Sequence, residues 1–143
     1  MTIRVAVTNQ KGGVGKTTTA VNLAASLTKA KRNVLLIDID PQGNASSAAG
    51  IKKNSESSLY EFFNSEEKIE SFIIEASGGY DIIPANNNLV AAEKIIEKTE
   101  NREKYFSAHL KKLPKKYDYI LIDCPPSLNL LTINSMEFCR NVL

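Results

Sequence analysis

Lys11-Gly12-Gly13-Val14-Gly15-Lys16-Thr17-Thr18 joins a β-branched run, Ile3-Arg4-Val5-Ala6-Val7, to a helical pattern that begins at Thr17. A strand, a glycine-rich turn and a helix in that order form a phosphate cradle. Glycines let backbone N–H groups point inward at phosphate oxygens, and the first helical turn adds its orphan donors and positive dipole end. Lys16 is placed to reach the outer phosphates, and the Thr17 hydroxyl to ligate Mg²⁺. The general phosphate-loop pattern has a glycine where Gln10 stands; a second lysine, Lys11, follows instead. The competing reading is a glycine-rich turn with two solvated lysines. The chemistry expected is that of a nucleoside triphosphate.

Hydrolysing a triphosphate also requires carboxylates for the metal and a group that places the attacking water. Tyr119-Ile120-Leu121-Ile122 is an apolar strand pattern ending in Asp123, a position suited to holding Mg²⁺. A second apolar run, Val34-Leu35-Leu36-Ile37, leads into Asp38-Ile39-Asp40-Pro41-Gln42-Gly43-Asn44. Strand alternation sends Asp38 and Asp40 to one side, and Pro41 and Gly43 then force a turn that would sense the γ-phosphate. Asp38 is assigned to the metal. Asp40 is assigned to orienting water, since a carboxylate with a pKa of about 4 is a poor base at neutral pH. The alternative for Asp40 is a plain turn-forming aspartate.

These groups need strands whose carboxyl ends meet. Four runs qualify: Val5 to Thr8, Val34 to Ile39, Tyr80 to Ile83 and Ile120 to Asp123. Runs this apolar suit strands buried on both faces of a parallel sheet. Helical patterns lie between them at Thr17 to Lys29, Ser58 to Phe63, Glu67 to Ala76, Leu89 to Lys98, Arg102 to Leu113 and Leu128 to Cys139. The alternation predicts an α/β fold, a doubly wound, mainly parallel sheet. Residues Lys52 to Glu67 read as a mobile connection.

The three motifs, Lys11 to Thr18, Asp38 to Asn44 and Asp123 to Pro126, resemble those of the deviant-Walker ATPases. The strings Asp40-Pro41-Gln42-Gly43-Asn44 and Asp123-Cys124-Pro125-Pro126-Ser127 are similar to the ParA/Soj partition branch more than to the MinD septum-placement branch. That resemblance implies ATP and Mg²⁺ as cofactors, with Gly12, Gly13, Val14, Gly15, Lys16, Thr17 and Thr18 around the phosphates. It implies Lys11 as a signature lysine reaching across an ATP-sandwich homodimer, with Lys16 and Asp40 as its catalytic companions. It also implies non-specific DNA and a centromere-binding ParB-like protein as partners, and a cytoplasmic, nucleoid-associated location. Lys11 has a physical reason to serve a second subunit: the turn already aims Lys16 at the phosphates, and no arginine lies near the cradle. Rival expectations are a MinD-like membrane-positioning ATPase and a non-catalytic nucleotide-binding interaction module.

Length and composition agree with a single domain over residues 1–143. Hydrophobic residues make up 43% and charged residues 24%, and 18 basic against 16 acidic residues leave a net charge of +2, which favours no partner class. Cys124 and Cys139 are too few for a disulfide framework and show no zinc spacing, so a reducing compartment is expected. Arg140-Asn141-Val142-Leu143 repeats Arg32-Asn33-Val34-Leu35, the lead into the second strand. The chain is therefore expected to stop at the start of a further strand, as the amino-terminal portion of a longer domain. Lys111-Lys112-Leu113-Pro114-Lys115-Lys116 is the densest basic cluster, read as a solvated loop with a DNA-phosphate patch as the alternative. His109 is read as a packing residue, and no apolar stretch approaches a membrane span.

Overall fold

The computed structural model describes residues 1–8, 14–52 and 57–143, with residues 14–18 described by their backbone. The described residues form a sheet of five strands: β1 (Ile3–Val7), β2 (Val34–Asp38), β3 (Ile74–Glu75), β4 (Asp81–Ile83) and β5 (Tyr119–Asp123). Their order across the sheet is β1-β5-β2-β4-β3. β1, β5, β2 and β4 are parallel, and only the short edge strand β3 runs antiparallel, against β4. The expected α/β class and mainly parallel sheet are what the chain adopts.

Alternation along the central strands divides the core in two. Leu35 and Ile37, with Ile120 and Ile122, face one side, and Val34 and Leu36, with Leu121, face the other. Every one of these side chains is buried, which is why the strands are apolar at consecutive positions rather than alternate ones. Helix α1 (Val14–Lys29) covers the second face, where Ala20 and Ala24 let it lie close to the sheet. The short helix α2 (Asn44–Ala48) lies against α1. The opposite face is covered by α3 (Leu59–Phe63), α4 (Leu89–Glu97), α5 (Tyr105–Leu110) and α6 (Leu130–Cys139).

Buried polar side chains join these elements. Asn134 of α6 accepts the Phe106 N–H at 2.9 Å and donates to the Arg102 and Leu130 carbonyls at 2.8 and 2.9 Å. Asn129 caps α6 by accepting the Thr132 N–H. The His109 ring stacks on Tyr105 at 3.9 Å, and Cys124 and Cys139 are buried, in line with packing roles.

Several boundaries differ from the sequence reading. The helix expected over Glu67 to Ala76 is a 3-10 turn, Ile69–Phe72, followed by β3. Here the Ser77-Gly78-Gly79 turn, with Gly79 at φ 88°, returns the chain so that the Ala76 N–H reaches the Tyr80 carbonyl. The helix over Arg102 to Leu113 divides into a 3-10 turn, Arg102–Lys104, and α5, which stops at Leu110. The Lys52 to Glu67 connection contains α3; residues 53–56 lie outside the described residues. Asn141 to Leu143 run parallel beside β1, with Ala6 N–H to Asn141 carbonyl at 2.9 Å and Leu143 N–H to Ala6 carbonyl at 2.8 Å. The strand start read in those residues forms an isolated parallel bridge to β1.

Candidate functional site

The insertion of β5 between β1 and β2 sets the geometry. In the ladder, Val7 is the partner of Asp123, and Asp123 is the partner of Asp38. Three carboxyl-terminal strand ends thus share one row: the exit of β1 toward the glycine-rich segment, Asp123 and Asp38. Ligands of open α/β sheets bind at this end, where the strand order reverses. Both aspartates are fully buried, and Asp40 is nearly so.

Asp38 sits in a set of donors. Its Oδ2 accepts the Ser46 N–H at 2.9 Å and the Ser46 hydroxyl at 2.7 Å, and its Oδ1 accepts the Asp40 N–H at 3.0 Å. Burial, and next the Asp123 carboxylate, push its pKa from 3.8 up to about 7; the bonds from Ser46 and Asp40 lower it and offset only part of this. Two buried carboxylates on adjacent strand ends suit a small divalent cation, which relieves their repulsion. Among the described residues no group of three or more His, Cys, Asp or Glu forms a metal cage. Two carboxylates are the protein share that Mg²⁺ commonly takes, its shell being completed by phosphate oxygens and water.

Asp40 stands beyond the β2 ladder, so its placement comes from a turn and not from strand alternation. Its Oδ1 accepts the Gln42 N–H at 3.0 Å, and its carbonyl accepts the Gly43 N–H at 2.8 Å. Gly43 adopts φ 66°, in the left-handed region, and passes the chain into α2. The turn-forming role weighed for Asp40 is therefore real, and Asp40 is a buried acid just beyond the end of β2. Pro41, Gln42, Gly43, Ser47, Asn86 and Asn87 line a polar crevice of about 140 Å³ beside this turn.

The remaining site residues fall as follows. Lys11, Gly12 and Gly13 lie outside the described residues. Val14, Gly15, Lys16, Thr17 and Thr18 form the first turns of α1, whose backbone alone is described. Asp38, Asp40 and Asp123 are brought to one end of the sheet. Two polar residues there escaped the sequence reading, Ser46 and Asn86. Ser46 sits in a Ser/Ala-rich run, Asn44-Ala45-Ser46-Ser47-Ala48-Ala49, that gives no signal of a role. Asn86 stands just after the Pro84 that follows β4; its side-chain amide donates to Glu61 at 2.8 Å and its Oδ1 accepts the Asn88 N–H at 3.0 Å.

The family described as "AAA domain" matches residues 2–143, nearly the whole chain. The chain belongs to the AAA domain family. Its relatives include ParA and Soj proteins. It is 46% identical over 141 residues to the chromosome partitioning protein ParA of Myxococcus xanthus, covering 97% of this chain and 50% of that protein. It is 48% identical over 142 residues to the sporulation initiation inhibitor protein Soj of Bacillus subtilis, covering 97% of this chain and 56% of that protein. The chain spans about half the length of the curated relatives it matches. Among solved structures, it is similar to cobyrinic acid a,c-diamide synthase of Mycobacterium smegmatis with bound ADP and magnesium. There the TM-score is 0.93 and the identity 37%, over 99% of this chain and 58% of that one. A plasmid partition protein from Borrelia burgdorferi aligns with a TM-score of 0.83 at 30% identity, over 99% of this chain and 63% of that one. Among the described residues, no helix is long and apolar enough to cross a membrane.

Proposed function

We propose that this AAA-domain chain binds Mg-ATP at the carboxyl ends of β1, β5 and β2 and hydrolyses it as a partition ATPase. The observation that carries the reading is the row formed by the β1 exit, Asp123 and Asp38, with two buried carboxylates in register beside the strand that leads to the glycine-rich segment. The ADP and magnesium bound in the similar M. smegmatis enzyme support the choice of ligands. The chromosome partitioning protein ParA of M. xanthus and the plasmid partition protein of B. burgdorferi support partition as the task. Lys16, Thr17 and the backbone from Gly12 to Thr18 would grip the phosphates, while Thr17, Asp38 and Asp123 would hold Mg²⁺ directly or through water. When bound, the metal supplies positive charge that offsets charge developing on the transferred phosphoryl group.

Asp40, fixed by its own turn, would orient the attacking water toward the γ-phosphate. Lys11 would neutralise phosphate charge in a second copy of the chain, so that ATP closes a homodimer. The dimer would associate with DNA without sequence preference, and a centromere-binding ParB-like protein would stimulate hydrolysis and release it. The test is ATP turnover and ATP-dependent dimerisation of the chain, with and without DNA, compared with Lys11→Ala. Loss of both dimerisation and at least about tenfold of the turnover in the variant is the expected result. Unchanged turnover and unchanged dimerisation would remove Lys11 from the mechanism. ATP binding without any turnover in the unaltered chain would leave a nucleotide-binding interaction module.

A further inference from the structure

Ser46 occupies an unusual place. It is 4% exposed, and every polar atom it offers toward the sheet end is engaged. Its N–H and hydroxyl both donate to Asp38 Oδ2, and the same hydroxyl oxygen accepts the Ala85 N–H at 2.9 Å. One side chain therefore pins a carboxylate at the end of β2 and ties it to the segment leaving β4. That segment is held in turn from outside. The Leu59 N–H donates to the Pro84 carbonyl at 2.9 Å, Asn86 donates to Glu61, and Ser58 donates to the same Glu61 oxygen. An unbroken chain of hydrogen bonds runs from Asp38 through Ser46 and residues 84–86 to α3. None of these partners is near Ser46 in sequence apart from Asp38, eight residues away.

We infer that Ser46 is a positioning residue: it holds the Asp38 carboxylate in the orientation that accepts the metal and couples that orientation to the segment from Pro84 to Asn86. The inference rests on the Mg-ATP reading above. Both Ser46 donors go to Oδ2, and the Asp40 N–H goes to Oδ1, so the carboxylate plane is fixed from two sides. Without the hydroxyl, Asp38 keeps two backbone donors but loses the shortest bond of the three. The Ala85 N–H, buried with its residue, loses its acceptor. Outer partners that orient metal ligands commonly change metal affinity by about 10- to 100-fold when removed.

The experiment compares the unaltered chain with Ser46→Ala and Ser46→Thr. It measures affinity for a fluorescent ATP analogue in Mg²⁺ and in EDTA, and amide hydrogen exchange at Ala85 in the nucleotide-free protein. The expected result for Ser46→Ala is a fall of about tenfold in the Mg²⁺-to-EDTA affinity ratio. Affinity in EDTA should stay within about twofold, since phosphate binding there relies on backbone amides. The Ala85 amide should also lose protection. Ser46→Thr, which keeps the hydroxyl, should retain the ratio and the protection. An unchanged ratio in a folded Ser46→Ala protein overturns the inference, and so does an equal loss of affinity in Mg²⁺ and EDTA, which marks a general structural role. Absence of any analogue binding by the unaltered chain is a different failure: it overturns the Mg-ATP reading, and the role of Ser46 falls with it.

Discussion

At the scale of single residues, Asp38 makes the fold sensitive to pH in a direction opposite to that of most carboxylates. Burial and Asp123 hold its pKa near 7, against 3.8 for an unperturbed group. Between those values the folded chain keeps a proton that the unfolded chain has released. Unfolding therefore becomes easier as pH rises, because the unfolded state binds fewer protons. In EDTA, the contribution of Asp38 to stability should be fully present below about pH 4 and lost as pH climbs through about 7. Urea denaturation at pH 5 and pH 7.5 measures this. Asp38→Asn, which cannot ionise, should show a flatter change between the two pH values than the unaltered chain. A variant with the same slope would show that Asp38 is not the responsible group. Asp38 was legible as an acid ending an apolar strand. Its companion Ser46 was not, because the role of Ser46 exists only where residues 38 and 85 meet.

Among elements, one buried amide of α6 serves both α5 and the turn that precedes it. Asn134 serves the first turn of α5 through the Phe106 N–H and also holds the Arg102 carbonyl in the preceding 3-10 turn. Phe106 is fully buried, so its N–H has no water to turn to. Asn134→Ala should cost about 1–3 kcal/mol, the cost of leaving a buried polar group without a partner. Urea denaturation is the measurement, and a loss below about 0.5 kcal/mol would mean that other donors and acceptors replace the amide. The same elements show why boundaries were harder to read than cores. β2 and β5 announce themselves because they are apolar at consecutive positions and buried on both faces. β3 is two residues long and not buried, so no periodicity marks it. α2 is five residues of Asn, Ala and Ser, and its start depends on the left-handed Gly43.

For the molecule as a whole, the Mg-ATP reading predicts linkage between nucleotide, metal and stability. A ligand at about 100 times its dissociation constant stabilises the folded state by about 2.7 kcal/mol. The chain should melt at a higher temperature with ATP and Mg²⁺ than with ATP and EDTA. Asp123→Asn should remove that difference while leaving the fold intact, since the asparagine preserves side-chain volume. Thermal denaturation under the four conditions checks this. Equal melting temperatures with and without the metal in the unaltered chain would argue against a metal at the strand ends.

From amino-acid order alone came the acids ending two apolar strands, the α/β class and the extended course of residues 141–143. Each is a local matter of side-chain type and spacing. The neighbours of each strand were not local. Periodicity says that a strand is buried on both faces, but not that β5 enters between β1 and β2, and it is this insertion that sets Asp123 beside Asp38. Tertiary structure also decided the Ser46 bridge, the β3 edge and the early stop of α5 at Leu110. Each depends on hydrogen-bond partners or packing surfaces that exist only once distant segments have come together.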